Sequence, residues 1–195
     1  MPFYVIGEDA LTCALGKKLL EVITGASPIM EPINTKGVTK MKAAVSRYAG
    51  LVHQAPVLCL ADTDGKCVIE MLRDWFPGGS PNRFLLRFAI SEAESWLLAD
   101  ARGFSEFLGV SEARIPREPD LIKDPKAHLL TLAARSSKRI IREEMIGAFD
   151  RSKPGNGYNV HLCNFVASSW DPHTAAANSE SLRRAISRIT ENHAA

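Results

Sequence analysis

Hydrophobic positions along the chain alternate between two rhythms. Residues 3–7, FYVIG, form a short β-prone run closed by Gly7, after which Leu11, Leu15, Leu19 and Val22 recur at helical spacing. Asp9 stands where a helix from about residue 10 to 23 needs its N-cap. A weak extended segment over 28–33 is broken at Lys36-Gly37. Val38, Met41, Val45, Tyr48 and Val52 then predict a second amphipathic helix, which Pro56 ends. Residues 57–61, VLCLA, are apolar on both faces, as a strand is inside a parallel sheet covered by helices. Helical spacing returns through Val68, Met71, Leu72 and Trp75. A Pro77-Gly78-Gly79-Ser80 turn leads to a strand over 84–90, and a long helix is expected from Glu92 to about Leu108.

Strands alternating with helices in this way predict an α/β fold, a mostly parallel sheet flanked by helices. The character changes after residue 110. Residues 115–125 carry three prolines and read as an extended linker, and Asp124-Pro125 is a helix start with Asp as N-cap and Pro at the first turn. Helical sequence continues to about Ala148. A Gly/Asn/Pro loop over 153–159 precedes an apolar segment over 158–166, read as a strand that contains His161. A terminal helix follows around Leu182, Ala185, Ile186 and Ile189. One domain spanning 1–195 is expected, with an α/β core over 1–110 and a mainly helical extension, 111–195, packed on it.

Composition narrows the class without naming a function. The 195 residues are 46% hydrophobic and 24% charged, which suits a globular domain and excludes wholesale disorder. No apolar run approaches the roughly 20 residues that span a bilayer. The start, MPFYVIGEDALTC, lacks a basic n-region and carries Glu8 and Asp9 where a signal peptide stays apolar, so a cytoplasmic protein without membrane partners is expected. Cys13, Cys59, Cys67 and Cys163 form no CxxC and read as buried free thiols. With 24 Lys+Arg against 22 Asp+Glu the balance is nearly neutral, yet residues 1–100 hold 10 basic and 11 acidic groups and the remainder 14 and 11. An acid-edged half is joined to a mildly basic one.

The acids are placed where open α/β sheets bind ligands, beyond the carboxyl ends of the strands. Glu8 follows the first strand, Asp62 and Asp64 the buried one, and Glu92 and Glu94 the strand ending at Ile90. Asp62 and Asp64 are two apart, so in extended chain both side chains point the same way. Carboxylates gathered at a strand edge suit Mg²⁺ or Mn²⁺, with water and a phosphate completing the octahedron. The same Asp-x-Asp-Gly is also ordinary turn sequence. Ser91-Glu92-Ala93-Glu94 matches a capping box, which would give Glu94 to the helix terminus first and to a metal second. Arg135, Lys138 or Arg139, and Arg142 repeat at helical spacing and read either as a phosphate-tracking row or as a solvated face neutralised by Glu143 and Glu144. Lys126, just inside its helix start, would meet a phosphate together with free N–H groups, or be a surface lysine. There is no P-loop, GxSxG, HExxH or GxGxxG motif. The tryptophans read as core aromatics.

A glutamate after the first strand and Asp-x-Asp after a buried one resemble the Toprim domain of topoisomerases, primases and OLD-type nucleases. A longer similarity is to the Toprim-like DUF4276 family. It is carried by VIGED (5–9), PVLCLADTDG (56–65), ISEAESWLLAD (90–100), FLGVS (107–111), IKDPKAHLLTLA (122–133), GYNVHLCNFV (157–166) and SLRRA (181–185). The resemblance implies a three-layer Toprim-like fold and metal-dependent phosphoryl transfer, with some relatives acting as nuclease components beside a co-encoded ATPase in phage defence. Carried over by position, Asp62 and Asp64 match the Toprim Asp-x-Asp and Glu8 stands for its glutamate, as the catalytic and metal-binding acids. Joined to the residue reading above, Glu94 is then a further metal carboxylate, and Lys126, Arg135, Arg139 and Arg142 would contact DNA or RNA. Ile6 occupies the slot where Toprim sequences usually place the glutamate, so the acid arrives at Glu8. Three readings follow: a Mg²⁺-dependent nuclease, a catalytically degenerate module that binds a partner ATPase or other protein, and a small-molecule phosphotransferase or phosphatase.

Overall fold

Strands β1 (Tyr4–Gly7), β2 (Ile33–Asn34), β3 (Val57–Asp62) and β4 (Phe84–Ala89) make one all-parallel sheet in the order β2-β1-β3-β4. This is a computed structural model describing residues 1–194. Its helices are α1 (Ala10–Thr24), α2 (Val38–Ala43), α3 (Val45–Ala49), α4 (Val68–Trp75), α5 (Glu94–Ala99), α6 (Ala101–Leu108), α7 (Pro125–Ala133), α8 (Arg139–Glu144), α9 (Tyr158–Ser168), α10 (Pro172–Asn178) and α11 (Glu180–Ala194). The protein is α/β, about 54% helical, with helices covering both faces of the sheet. No helix among the described residues is long and apolar enough to cross a membrane.

The pleat sorts side chains into two cores. Val5, Leu58, Leu60 and Leu85 face α1 and the C-terminal helices, whereas Ile6, Cys59, Ala61 and Phe88 face Met41, Tyr48, Met71 and Trp75. The first core runs from Phe3 to Ile189, so the C-terminal helices supply one whole layer of the molecule. Neither a strand buried on both faces nor its covering helices would bury their apolar surface alone.

Chain direction explains where a crevice opens. From β1 the chain crosses by α1 to β2, then returns past β1 to β3 and moves on through α4 to β4. Right-handed crossovers taken in opposite directions put α1 and α4 on opposite faces. The strand ends of β1 and β3 are therefore left uncovered between them, at the topological switch point. Two glycines let α1 lie close there. A Cβ at Gly7 would stand 2.5 Å from the Cys13 amide nitrogen, and one at Gly16 would stand 2.6 Å from Val5 Cγ1.

Several expected elements are shorter than their periodicity suggested. The helix expected through residue 52 divides at Ala44 (φ −102°, ψ 1°) into α2, α3 and a 3-10 turn. That expected over 92–108 breaks at Asp100, whose carboxylate caps α6 through Gly103 N–H and accepts from Asp171 N–H. That from Pro125 to Ala148 stops at Ala133, and the apolar segment at 158–166 is helix α9, not a strand. Tyr158, Leu162, Phe165 and Val166 bury one helical face, with Phe165 stacked at 4.9 Å on Phe107. Val22 is exposed, and Leu20 takes its place in the core. Cys67 is exposed and Cys163 half-buried, so only Cys13 and Cys59 match the expected buried thiols. All three tryptophans are core residues.

Candidate functional site

Glu8 and Asp62 meet at the switch point. The ladder between β1 and β3 continues one residue beyond the strand, with Glu8 N–H donating to Leu60 C=O at 3.1 Å. The Glu8 carboxylate then reaches across and accepts from Asp62 N–H at 3.2 Å. Ile6 lies wholly in the opposite core and contributes nothing polar. The loop over 35–38 encloses Glu8 from the β2 side: Thr35 Oγ1 donates to Gly7 C=O and Gly37 N–H to Glu8 C=O. Burial raises the Glu8 carboxyl above its ordinary range, opposed by the Asp62 N–H and reinforced by Asp64 and Asp9.

Asp62 ends β3 on the face of Leu58 and Leu60, pointing into the layer built by the C-terminal helices. Its Oδ1 is sealed from solvent and has no hydrogen-bond partner. Burial, with the charges of Glu94, Glu8, Asp9 and Asp64 around it, pushes its pKa up to about 9. At neutral pH the carboxyl holds a proton unless a cation compensates its charge.

Asp64 goes another way. The chain leaves the sheet in a turn in which Asp64 adopts φ 48° and Lys66 N–H donates back to Thr63 C=O. Asp64 is therefore exposed rather than in extended chain, and its charge still reaches both Glu8 and Asp62. The buried residue between them, Thr63, accepts from Ser91 N–H at 2.7 Å and ties the ends of β3 and β4 together.

That bond also decides Glu94. Ser91 stands at φ 59° with its N–H spent on Thr63, so it cannot be the extended N-cap of a capping box. Helix α5 instead has Ala93 at its N-cap with no side-chain cap, and Glu94 is buried at 3% exposure, facing the site. Its Oε1 accepts from Tyr158 Oη at 2.9 Å and stands 3.5 Å from Lys126 Nζ. Burial raises the Glu94 carboxyl, with Lys126 the main opposing charge. Burial and the Glu94 charge raise the Tyr158 phenol, so it stays a neutral donor. Lys126 extends the network, giving its N–H to Glu92 Oε2 at 2.8 Å and its ammonium to Glu92 and Glu94. Burial works against the ammonium, but Glu94, Glu92 and Asp62 outweigh it and hold it protonated. Asp9 caps α1 through a full capping box with Thr12.

The basic row is dispersed. The chain leaves helix between α7 and α8, so Arg135 is separated from the rest. Lys138 caps the end of α6 through Glu106 and Phe107 carbonyls, Arg139 pairs with Glu143 at 2.8 Å, and Arg142 donates to Ser136 C=O. Lys138, Arg139 and Arg142 are thus each engaged by a local partner. His161 is half-buried on α9 and pairs with Glu144 at 2.7 Å. The strand reading hid Tyr158, although Tyr158, Leu162, Phe165 and Val166 carry a helical signal.

Among the described residues no three His, Cys, Asp or Glu side chains converge closely enough to hold a metal as they stand. The donor set still fits a hard cation. Mg²⁺ keeps most of its waters and takes one or two protein carboxylates. The Asp62–Glu8 pair supplies two, one with an unpartnered oxygen. No protein-family model, curated protein or solved structure matches the chain.

Proposed function

We propose that the protein carries out Mg²⁺- or Mn²⁺-dependent phosphoryl transfer on nucleic acid, as a nuclease or nucleic-acid-processing component. The reading rests on one observation above the rest: a buried aspartate with an orphaned oxygen, beside a glutamate, at the switch point of a parallel sheet. The resemblance of residues 56–65 and 90–100 to Toprim-like sequences supports it.

In this reading Asp62 and Glu8 hold the cation, which supplies Lewis-acid polarisation of a phosphate and a more acidic bound water. Glu94, fixed by Tyr158 and Lys126, keeps the neighbouring wall negative and directs Asp62 toward the cation. Lys126, 39% exposed in its side chain, offers an ammonium to a phosphate that arrives beside the carboxylates. Titration with Mn²⁺ by calorimetry, paired with cleavage assays on single- and double-stranded DNA and RNA, tests it. Binding and cleavage should both be lost in Asp62→Asn, and absence of Mn²⁺ binding at millimolar concentration overturns the reading.

Lys126 favours a second reading. An ammonium already neutralises Glu92 and Glu94, as it would in a module that has given up its metal and works by binding a partner such as a co-encoded ATPase. The same titration separates the two, because this version binds no Mn²⁺.

A further inference from the structure

Strand β4 is the open edge of the sheet, and beside it lies a cleft of about 450 Å³. Arg73 from α4, Arg83 and Arg87 from β4 and its approach, and Arg188 from α11 all line it, with no acidic residue in the lining. Four guanidiniums gathered from three elements are unfavourable without a counter-charge. The nearest compensation is partial: Arg188 pairs with Glu191 at 2.6 Å. Arg73 has no carboxylate within ion-pair distance among the described residues.

Arg87 is the least satisfied of the four. It emerges half-buried from the centre of β4, and one terminal nitrogen donates to Leu86 C=O at 3.0 Å. Its Nε is sealed from solvent and has no partner. A buried N–H left unpaired on a charged group costs more than the bond it could make. Burial, and after it the neighbouring Arg188, lower the Arg87 guanidinium from its ordinary value, opposed only in part by the Glu191 carboxylate. Arg83 is already engaged by Val52 C=O at 3.1 Å. The Ser80 hydroxyl donates to Phe84 C=O at 2.9 Å and closes the end of the strand edge there. The half-buried Phe76 ring, edge-on to Phe84 at 5.3 Å, gives the same cleft an apolar wall.

We propose that this cleft binds a phosphate group, gripped by Arg87 and Arg188 with Arg73 at the rim. Planar guanidiniums match tetrahedral oxyanions through paired N–H bonds. The phosphate supplies the counter-charge that the four arginines lack beyond Glu191. The site is independent of the Asp62 cluster. It is built around Phe84 to Arg87 of β4 and the turn before it, whereas the acids lie at the carboxyl end of the sheet.

The phosphate could belong to a free nucleotide or to a nucleic-acid backbone, and one experiment distinguishes them. Binding of pyrophosphate, adenosine 5′-monophosphate and a fluorescent 20-nucleotide DNA strand is measured in EDTA, so that the carboxylate site plays no part. Wild-type protein should bind at least one probe, and the exposed pair R73A/R188A should weaken it tenfold or more with unchanged thermal stability. R87Q, which removes the charge and keeps a side-chain donor, should weaken it as much. Oligonucleotide binding that exceeds nucleotide binding a hundredfold, with a salt slope lowered by about 1.4 in R73A/R188A, assigns the backbone. Equal affinities assign the free nucleotide. No binding of any probe at low salt, binding untouched by R73A/R188A, or equal binding of a polyglutamate peptide overturns the proposal.

Discussion

A carboxylate buried without partners costs stability whenever the unfolded chain would hold it ionised, and Asp62 is the place to measure that cost. Its ordinary value of 3.8 rises to about 9 in the folded protein, chiefly through burial. Below the unfolded value both states carry the proton and nothing is lost. As pH rises through that value the unfolded chain releases its proton while the folded protein keeps it. Stability therefore falls by about 1.4 kcal/mol per pH unit until the folded carboxyl itself titrates. From 3.8 to neutrality this amounts to about 4 kcal/mol at most. Local relaxation around the charge leaves about 2–4 kcal/mol. Asp62→Asn has the same shape and no charge. In EDTA at pH 7 it should be the more stable protein by that margin, a rise of roughly 5–12 °C in midpoint. The gain should shrink toward zero near pH 4. Urea unfolding followed through the buried Trp75, Trp96 and Trp170 at four pH values reads both curves. Equal stability of the two proteins from pH 5 to 8 would refute the account of Asp62 as a strained acid.

Three further outcomes follow from the same packing. Gly7→Ala places a methyl against the Cys13 backbone and should cost about 3 kcal/mol or more by urea unfolding, because α1 must lift from β1. Tyr158→Phe removes a buried donor from the Glu94 carboxylate and should cost about 1.5–3 kcal/mol at neutral pH, with far less loss once the pH is low enough to protonate Glu94. Reaction of native protein with a thiol reagent should be fast at exposed Cys67, slower at Cys163, and absent at Cys13 and Cys59 until unfolding, since burial pushes the Cys13 thiol up to about 12 and raises Cys59 further.

Particular residues show where local pattern was enough and where it was not. Asp9 and Asp124 were legible as N-caps because a cap is decided within four residues, and both accept the expected N–H bond. Ser91 and Glu94 carry the same local signature and fail it, because Ser91 N–H is claimed by Thr63, 28 residues away in sequence. The Arg135–Arg142 row kept its spacing on paper, but the chain leaves helix at Ala134, so the spacing lost its meaning.

The sequence by itself determined the alternation of strands and helices, the buried strand at 57–61, and the position of acids at strand ends. Each follows from hydrophobic period and turn chemistry, which act over a few residues. Tertiary structure alone decided which acids share a site. The reversal of crossover direction about β1 and β3 sets Glu8 beside Asp62, while the left-handed turn that follows leaves Asp64 exposed. Burial then makes Asp62 an acid that holds its proton, and four distant arginines converge on one edge. Register, burial and the field of neighbouring charges depend on every element at once, and no local pattern encodes them.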